Sequence, residues 1–200
     1  MSSNQRPRPS LVRGVKPTHT PLDLDQEQVT LGAIIVIPPP WNEQLTACRA
    51  RAGDPLAHLV TPHVTLIPPT SIGTADLDQV LCQMSATCAQ THGFALGLRG
   101  AGTFRPISDV VFVAVSKGIS ECEVLAQELR QGPFDTPLAF PYHPHVTVAQ
   151  NVTPQLLDEV YERLEDFKAD FVVDHIALHR QNTDGSWDQI ARFALAKESL

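Results

Sequence analysis

Pro62-His63-Val64-Thr65-Leu66 and Pro144-His145-Val146-Thr147-Val148 decide how this chain is read. With eight His and 15 Thr in 200 residues, roughly 0.6 H-x-T triplets are expected by chance, so a lone one means little. The string P-H-V-T is expected roughly 0.005 times at this composition, yet it occurs twice. Both copies lie in short β-branched runs bounded by proline, which read as strands: Pro62–Ile67, ended by Pro68-Pro69, and Pro144–Ala149. Side chains at i and i+2 share one face of a strand. His63 therefore projects with Thr65, and His145 with Thr147. Val64, Leu66, Val146 and Val148 face the other way, toward a core.

Outward from the first motif, Val29–Ile37 is a β-branched strand ended by Pro38-Pro39-Pro40. Asn42 caps a helix to about Ala52, stopped by Gly53. Leu77, Val80, Leu81, Met84 and Cys88 form one apolar stripe on a helix over Ala75–Gln90, and Phe94, Leu96 and Leu98 alternate as a strand. The same order repeats around the second motif. Val110–Val115 is a strand; Ser120 and Glu123 form a capping box before a helix with Leu125 and Leu129, closed by Gly132. After Pro144–Ala149, Thr153 and Pro154 start a helix that buries Leu156, Val160 and Leu164. Phe171–Leu178 and Trp187–Leu195 are the last strands, the latter following the turn Asp184-Gly185.

The expected fold class is α+β. It is a bilobal, pseudo-two-fold duplicate of strand–helix–strand–helix–strand units, with mainly antiparallel sheets flanked by helices around a central cleft. Residues 29–200 form this single bilobal domain. Residues 1–28 read as a flexible, basic, Pro-rich arm, because Arg6, Arg8, Arg13 and Lys16 stand among four prolines with no acid before residue 22.

Overall the chain carries 15 Lys+Arg against 22 Asp+Glu, a formal charge of −7 that excludes coating of duplex DNA by counterion release. No apolar run is long enough for a membrane span, and without a basic stretch followed by an apolar one at the start no secretory signal is expected. Cys48, Cys82, Cys88 and Cys122 show no C-x-x-C spacing, so buried thiols in a reducing cytoplasm are the expectation.

Folding two such lobes about their axis brings two imidazoles and two hydroxyls toward one pocket. An imidazole titrates near neutrality, so one ring can take a proton from the attacking oxygen while the other protonates the departing one. The Thr65 and Thr147 hydroxyls can donate to non-bridging phosphate oxygens. In-line displacement at phosphorus needs attacker and leaver on opposite sides, which such a pair supplies. Two alternatives remain at this point. One is a metallohydrolase with His63, His143 and His145 as ligands, joined by His175 or His179. The other is a non-catalytic module that only holds nucleotides or RNA ends.

The paired H-x-T motifs on repeated elements resemble the 2H phosphoesterase superfamily, and their flanks resemble its bacterial 2′-5′ RNA ligase-like branch. Supporting matches are Gly100-x-Gly102-x-Phe104 and the ending Ile176-Ala177-Leu178…Gly185-Ser186-Trp187…Phe193-Ala194-Leu195. The resemblance implies a bilobal fold, no metal and no other cofactor. It also implies chemistry on 2′,3′-cyclic phosphates or 2′-5′ phosphodiester linkages of nucleotides or RNA ends. It assigns catalysis to His63 and His145 and phosphate binding to Thr65 and Thr147. Many relatives carry a basic residue shortly after the second motif, where this chain has Gln150 and Asn151. A small cyclic nucleotide is accordingly expected ahead of long RNA. Tyr142, Phe104 and Arg180 are further substrate-binding candidates: Phe104, like Trp187, could stack a base, and Arg180 could pair with phosphate.

Overall fold

The computed structural model describes residues 27–197. The N-terminal arm lies almost wholly outside them, and its last residue, Gln28, already opens the first strand. Eight strands and four α-helices follow in the order β1 (Gln28–Val36), α1 (Trp41–Arg51), β2 (His63–Gly73), α2 (Leu77–Gln90), β3 (Phe94–Thr103), β4 (Val110–Lys117), α3 (Ile119–Leu129), β5 (His145–Gln150), α4 (Pro154–Leu164), β6 (Lys168–Val173), β7 (His175–Gln181) and β8 (Trp187–Ala194). The expected α+β class and antiparallel sheets are present. One sheet has strand order β2-β1-β7-β8, the other β5-β4-β3-β6, and every named strand pair is antiparallel.

The two sheets are related as the duplication requires, but a lobe is not a half of the sequence. β3 leaves the first half to pair with β4 and β6, while β7 returns from the second half to pair with β1. The reading of Phe171–Leu178 as one strand is corrected here. The chain breaks at Asp174, with β6 in one sheet and β7 in the other. Neither glycine nor proline marks that change of sheet, since both pieces keep strand periodicity. The exchange interlocks the lobes over one continuous apolar core drawn from both sheets, with Leu31, Leu66, Leu98, Val113, Val146 and Leu178 fully buried.

Four local expectations shift. β2 does not stop at Pro68-Pro69 but runs on to Gly73. It is an edge strand, where a proline lacking an N–H costs no ladder bond. Its register with β1 slips between Leu31 and Ala33, accommodating the prolines, and the Thr70 hydroxyl donates to the Pro68 carbonyl at 2.8 Å. At α1, Asn42 lies inside the helix and Pro40 is the N-cap residue. No capping box forms at α3: Gly118, at φ 85°, is the N-cap and Ser120 sits within the helix. On α4 the Thr153 hydroxyl does cap, accepting from the Leu156 amide, but Leu157 takes the buried place given to Leu156. The inward stripe is thus Leu157, Val160 and Leu164, at i, i+3 and i+7.

The consequence for function is the position of β2 and β5. Each is the edge strand of its sheet, each opens with a histidine, and the two edges lie against one another. α3 packs on β2 and α1 on β5, so each motif strand is backed by a helix from the other half.

Candidate active site

His63 and His145 make the same hydrogen bond. Nδ1 of His63 lies 2.7 Å from the Thr61 carbonyl, and Nδ1 of His145 lies 2.7 Å from the His143 carbonyl. A carbonyl only accepts, so Nδ1 carries the proton in both rings and Nε2 of the neutral ring is left as the acceptor. Burial depresses both imidazoles. That of His63 is pushed down to about 4, with the charge of Arg49 and the neighbouring His179 and His145 adding to the effect. His145 is lowered by burial and by His143.

Different devices hold the two rings. Ahead of His63, the loop 54–62 is pinned by a buried ion pair that the sequence reading missed. Arg49 Nη2 lies 3.0 Å from Asp54 Oδ2, with side-chain exposures of 3% and 0%. Arg49 Nη1 donates to the Val60 carbonyl at 3.2 Å, and Asp54 Oδ1 accepts the Leu56 amide at 2.9 Å. Asp54 follows directly on Gly53, whose φ of 73° ends α1; an acid placed after a helix-ending glycine, five residues from an arginine, was the available signal. His145 is instead boxed by aromatic rings. Phe104 meets it edge-on at 4.9 Å and 88°, and Phe112 lies 5.2 Å away. Gly102 makes this box possible, since a Cβ there would stand 2.5 Å from the Phe112 ring.

Two cavities flank the meeting edges. One, of about 530 Å³, includes His63, His179, Gln150 and Trp187 in its wall; the other, of about 540 Å³, includes His145, His143, Tyr142 and Phe140. Thr65 and Pro69 line both, so the first motif's threonine stands at the boundary between the two histidine sites. Across that boundary the Tyr142 hydroxyl donates to the Thr65 carbonyl at 2.9 Å.

The sequence model of the 2′-5′ RNA ligase superfamily matches residues 37–185. The chain belongs to this superfamily. Among curated relatives, a Bacillus cereus protein named "Putative phosphoesterase" is 28% identical over 169 residues, covering 84% of this chain and 97% of its own length. A second, from Bacillus mycoides and bearing the same description, is 28% identical over 171 residues, with 84% and 98% covered. The fold is that of Escherichia coli LigT in its apo form, at TM-score 0.65 and 21% identity, over 86% of this chain and 99% of that one. LigT complexed with 3′-AMP superposes at TM-score 0.64 with 22% identity, over 84% and 99%. The superfamily model thus shows the 2H phosphoesterase family, and LigT shows the fold.

Within this superfamily member the remaining candidates separate. Thr147 is half-buried on the same strand as His145 but lines neither cavity. Phe104 also lines neither; its ring is occupied with Phe112 and His145. Tyr142 reaches the second cavity, with its hydroxyl spent on Thr65. Arg180 lies half-buried on β7, 3.4 Å from Asp188, outside both walls. His175 sits between the Asp174 carboxylate and the Arg192 guanidinium. Among the described residues, no group of three His, Cys, Asp or Glu side chains could hold a metal ion. No described helix is long and apolar enough to cross a membrane.

Proposed function

We propose that this chain is a metal-independent phosphoesterase for the 2′,3′-cyclic phosphates or 2′-5′ linkages of nucleotides and RNA ends, with His63 and His145 as its acid–base pair. The single observation that carries the reading is the matched hydrogen bond of the two rings, which presents an unprotonated Nε2 from each facing strand edge. In hydrolysis of a cyclic diester, His63 takes a proton from water as the water oxygen bonds to phosphorus. The bond from phosphorus to one ribose oxygen breaks, and His145, protonated at Nε2, returns a proton to that oxygen. His63 is assigned the base because burial holds it neutral, and phosphate charge arriving at the site favours the protonated form of His145. Thr65, which lines both cavities, donates to a non-bridging oxygen as its charge grows.

The curated relatives' names support phosphoester chemistry, and LigT complexed with 3′-AMP supports a nucleotide ligand. Cys48, Cys82, Cys88 and Cys122 are all unpaired, which agrees with a cytoplasmic enzyme, although Cys82 is exposed rather than buried as expected. The test is incubation of the purified chain with adenosine 2′,3′-cyclic phosphate in excess EDTA, with chromatography of the products. Appearance of the monoester supports the proposal. Turnover that stops with EDTA overturns metal independence, and binding without conversion marks a module that only holds nucleotides.

A further inference from the structure

Neither cavity at the meeting edges offers a fixed charge to an anion. Among the described residues, no Lys, Arg, Asp or Glu lines either wall. Half of the eight arginines that follow the arm are already committed: Arg49, Arg99, Arg105 and Arg180 each sit on an aspartate, at 2.6 to 3.4 Å. Arg6, Arg8, Arg13 and Lys16 have no acid among them, whereas all 22 acids share the rest of the chain with the other 11 Lys and Arg. The surplus of positive charge therefore stands in the arm, and the remainder of the chain repels a polyanion.

The fold places the exit of the arm beside one of these cavities. β1 begins at Gln28, which pairs with Gly73 on β2. Two residues on, the Thr30 hydroxyl meets the Ser71 hydroxyl at 3.0 Å, and Ser71 lines the cavity that includes His145. From Ser71, β2 runs back to Thr65, about 20 Å at the rise of a strand, and Thr65 is where the two cavities join. Lys16 lies twelve residues before Gln28, a length of chain that spans up to about 40 Å, and Arg13, Arg8 and Arg6 have a longer reach.

We propose that Arg6, Arg8, Arg13 and Lys16 form an electrostatic arm for single-stranded RNA, pairing with the phosphates that precede a terminal 2′,3′-cyclic phosphate while that end enters between His63 and His145. The choice of an RNA end rests on the phosphoesterase reading. A lone cyclic nucleotide carries one charge and leaves four spaced cations little to neutralise. An RNA strand presents a phosphate at every nucleotide.

Salt dependence tests this, because its slope counts the phosphates neutralised. A short fluorescein-labelled RNA ending in a 2′,3′-cyclic phosphate is titrated with the full chain and read by fluorescence anisotropy. Each phosphate neutralised on a single strand adds about −0.7 to the slope of log affinity against log salt, so four cations give about −2.8. Affinity should fall about 50-fold between about 50 and 200 mM salt. The full chain carrying Arg6→Gln, Arg8→Gln, Arg13→Gln and Lys16→Gln should bind more weakly at low salt and lose at most about fourfold over that range. Arg6→Lys, Arg8→Lys and Arg13→Lys together should keep the wild-type slope, since charge rather than guanidinium geometry is at work. An equally steep slope in the glutamine variant would assign the RNA to the folded domain and overturn the inference, as would a wild-type slope shallower than about −1. Turnover of adenosine 2′,3′-cyclic phosphate by the wild type is measured alongside. Turnover without salt-steep RNA binding removes the arm and leaves the phosphoesterase standing. Salt-steep binding that the glutamine variant loses, with no turnover of nucleotide or RNA, does the reverse.

Discussion

The hydroxyl of Tyr142 donates to the backbone carbonyl of Thr65 at 2.9 Å, tying the loop that delivers His145 to the strand that delivers His63. Burial pushes this phenol well above its usual range, so it stays a donor at every working pH. Tyr142→Phe keeps the ring and leaves the Thr65 carbonyl without that donor. A loss of about 1 kcal/mol is expected, or roughly 2–4 °C in Tm for a chain of this size. Because the bond sets the spacing of the two motif strands, kcat should fall more than KM rises. Calorimetry and steady-state kinetics read both, and an unchanged Tm would show that the bond contributes nothing.

An asparagine amide can keep the Nδ1-type hydrogen bond to the carbonyl two residues back while removing Nε2. His63→Asn and His145→Asn should therefore fold like the wild type, each losing on the order of 10²–10⁴ in kcat/KM. Groups that act as one unit do not add, so the double variant should be little worse than the poorer single one. A single variant within about threefold of wild type would remove that histidine from the chemistry.

How far this was legible can be judged residue by residue. His63, Thr65, His145 and Thr147 stood out as candidates because a repeated four-residue string is improbable and strand periodicity fixes which side chains share a face. The class of fold was visible because helix and strand periodicities alternate cleanly. What stayed hidden were relationships between distant segments. Phe171–Leu178 crosses from one sheet to the other at Asp174 without a break in pattern, so no local signal exposes the exchange of strands. Phe104 read as a stacking residue because nothing in the chain near it reveals Phe112 and His145 as its neighbours. Arg49 and Asp54 become a buried pair only when the loop between them and His63 closes, a relationship that no periodicity marks.

The pH dependence of kcat/KM follows from the two depressed imidazoles. Activity needs His63 unprotonated, so the acidic limb should rise through about 4. It also needs His145 protonated, so the alkaline limb should fall below the ordinary imidazole value near 6.5. The bell therefore peaks on the acid side of neutrality, and its limbs belong to the pair rather than to either ring. In the His63→Asn variant the residual activity should lose the acidic limb. A wild-type profile that is flat from pH 5 to 9, or that peaks above 8, contradicts the assignment.

Stability should move with the same proton. Unfolded, His63 titrates near 6.5; folded, at about 4. Between those values the unfolded chain binds the extra proton, so stability rises with pH there. The contribution is complete above 6.5 and lost as pH falls toward 4. Denaturant melts of wild type and His63→Asn across pH 4–7 should show a shallower slope in the variant. Parallel curves would mean that the ring is not buried as a neutral group.

Arg49 and Asp54 carry the last prediction. Removing one member of a buried pair strands the other charge, at a cost of about 3–5 kcal/mol. Arg49→Met and Asp54→Leu should each be strongly destabilising, and the double variant less so than either, although it also forfeits the bonds to the Val60 carbonyl and the Leu56 amide. The double variant separates scaffold from electrostatics. It no longer places the Arg49 charge near His63, which helps hold that imidazole low. Its acidic limb in kcat/KM should therefore move to higher pH than in the wild type. If instead the limb stays put while only Tm falls, the pair supports the loop and has no influence on the proton that His63 carries.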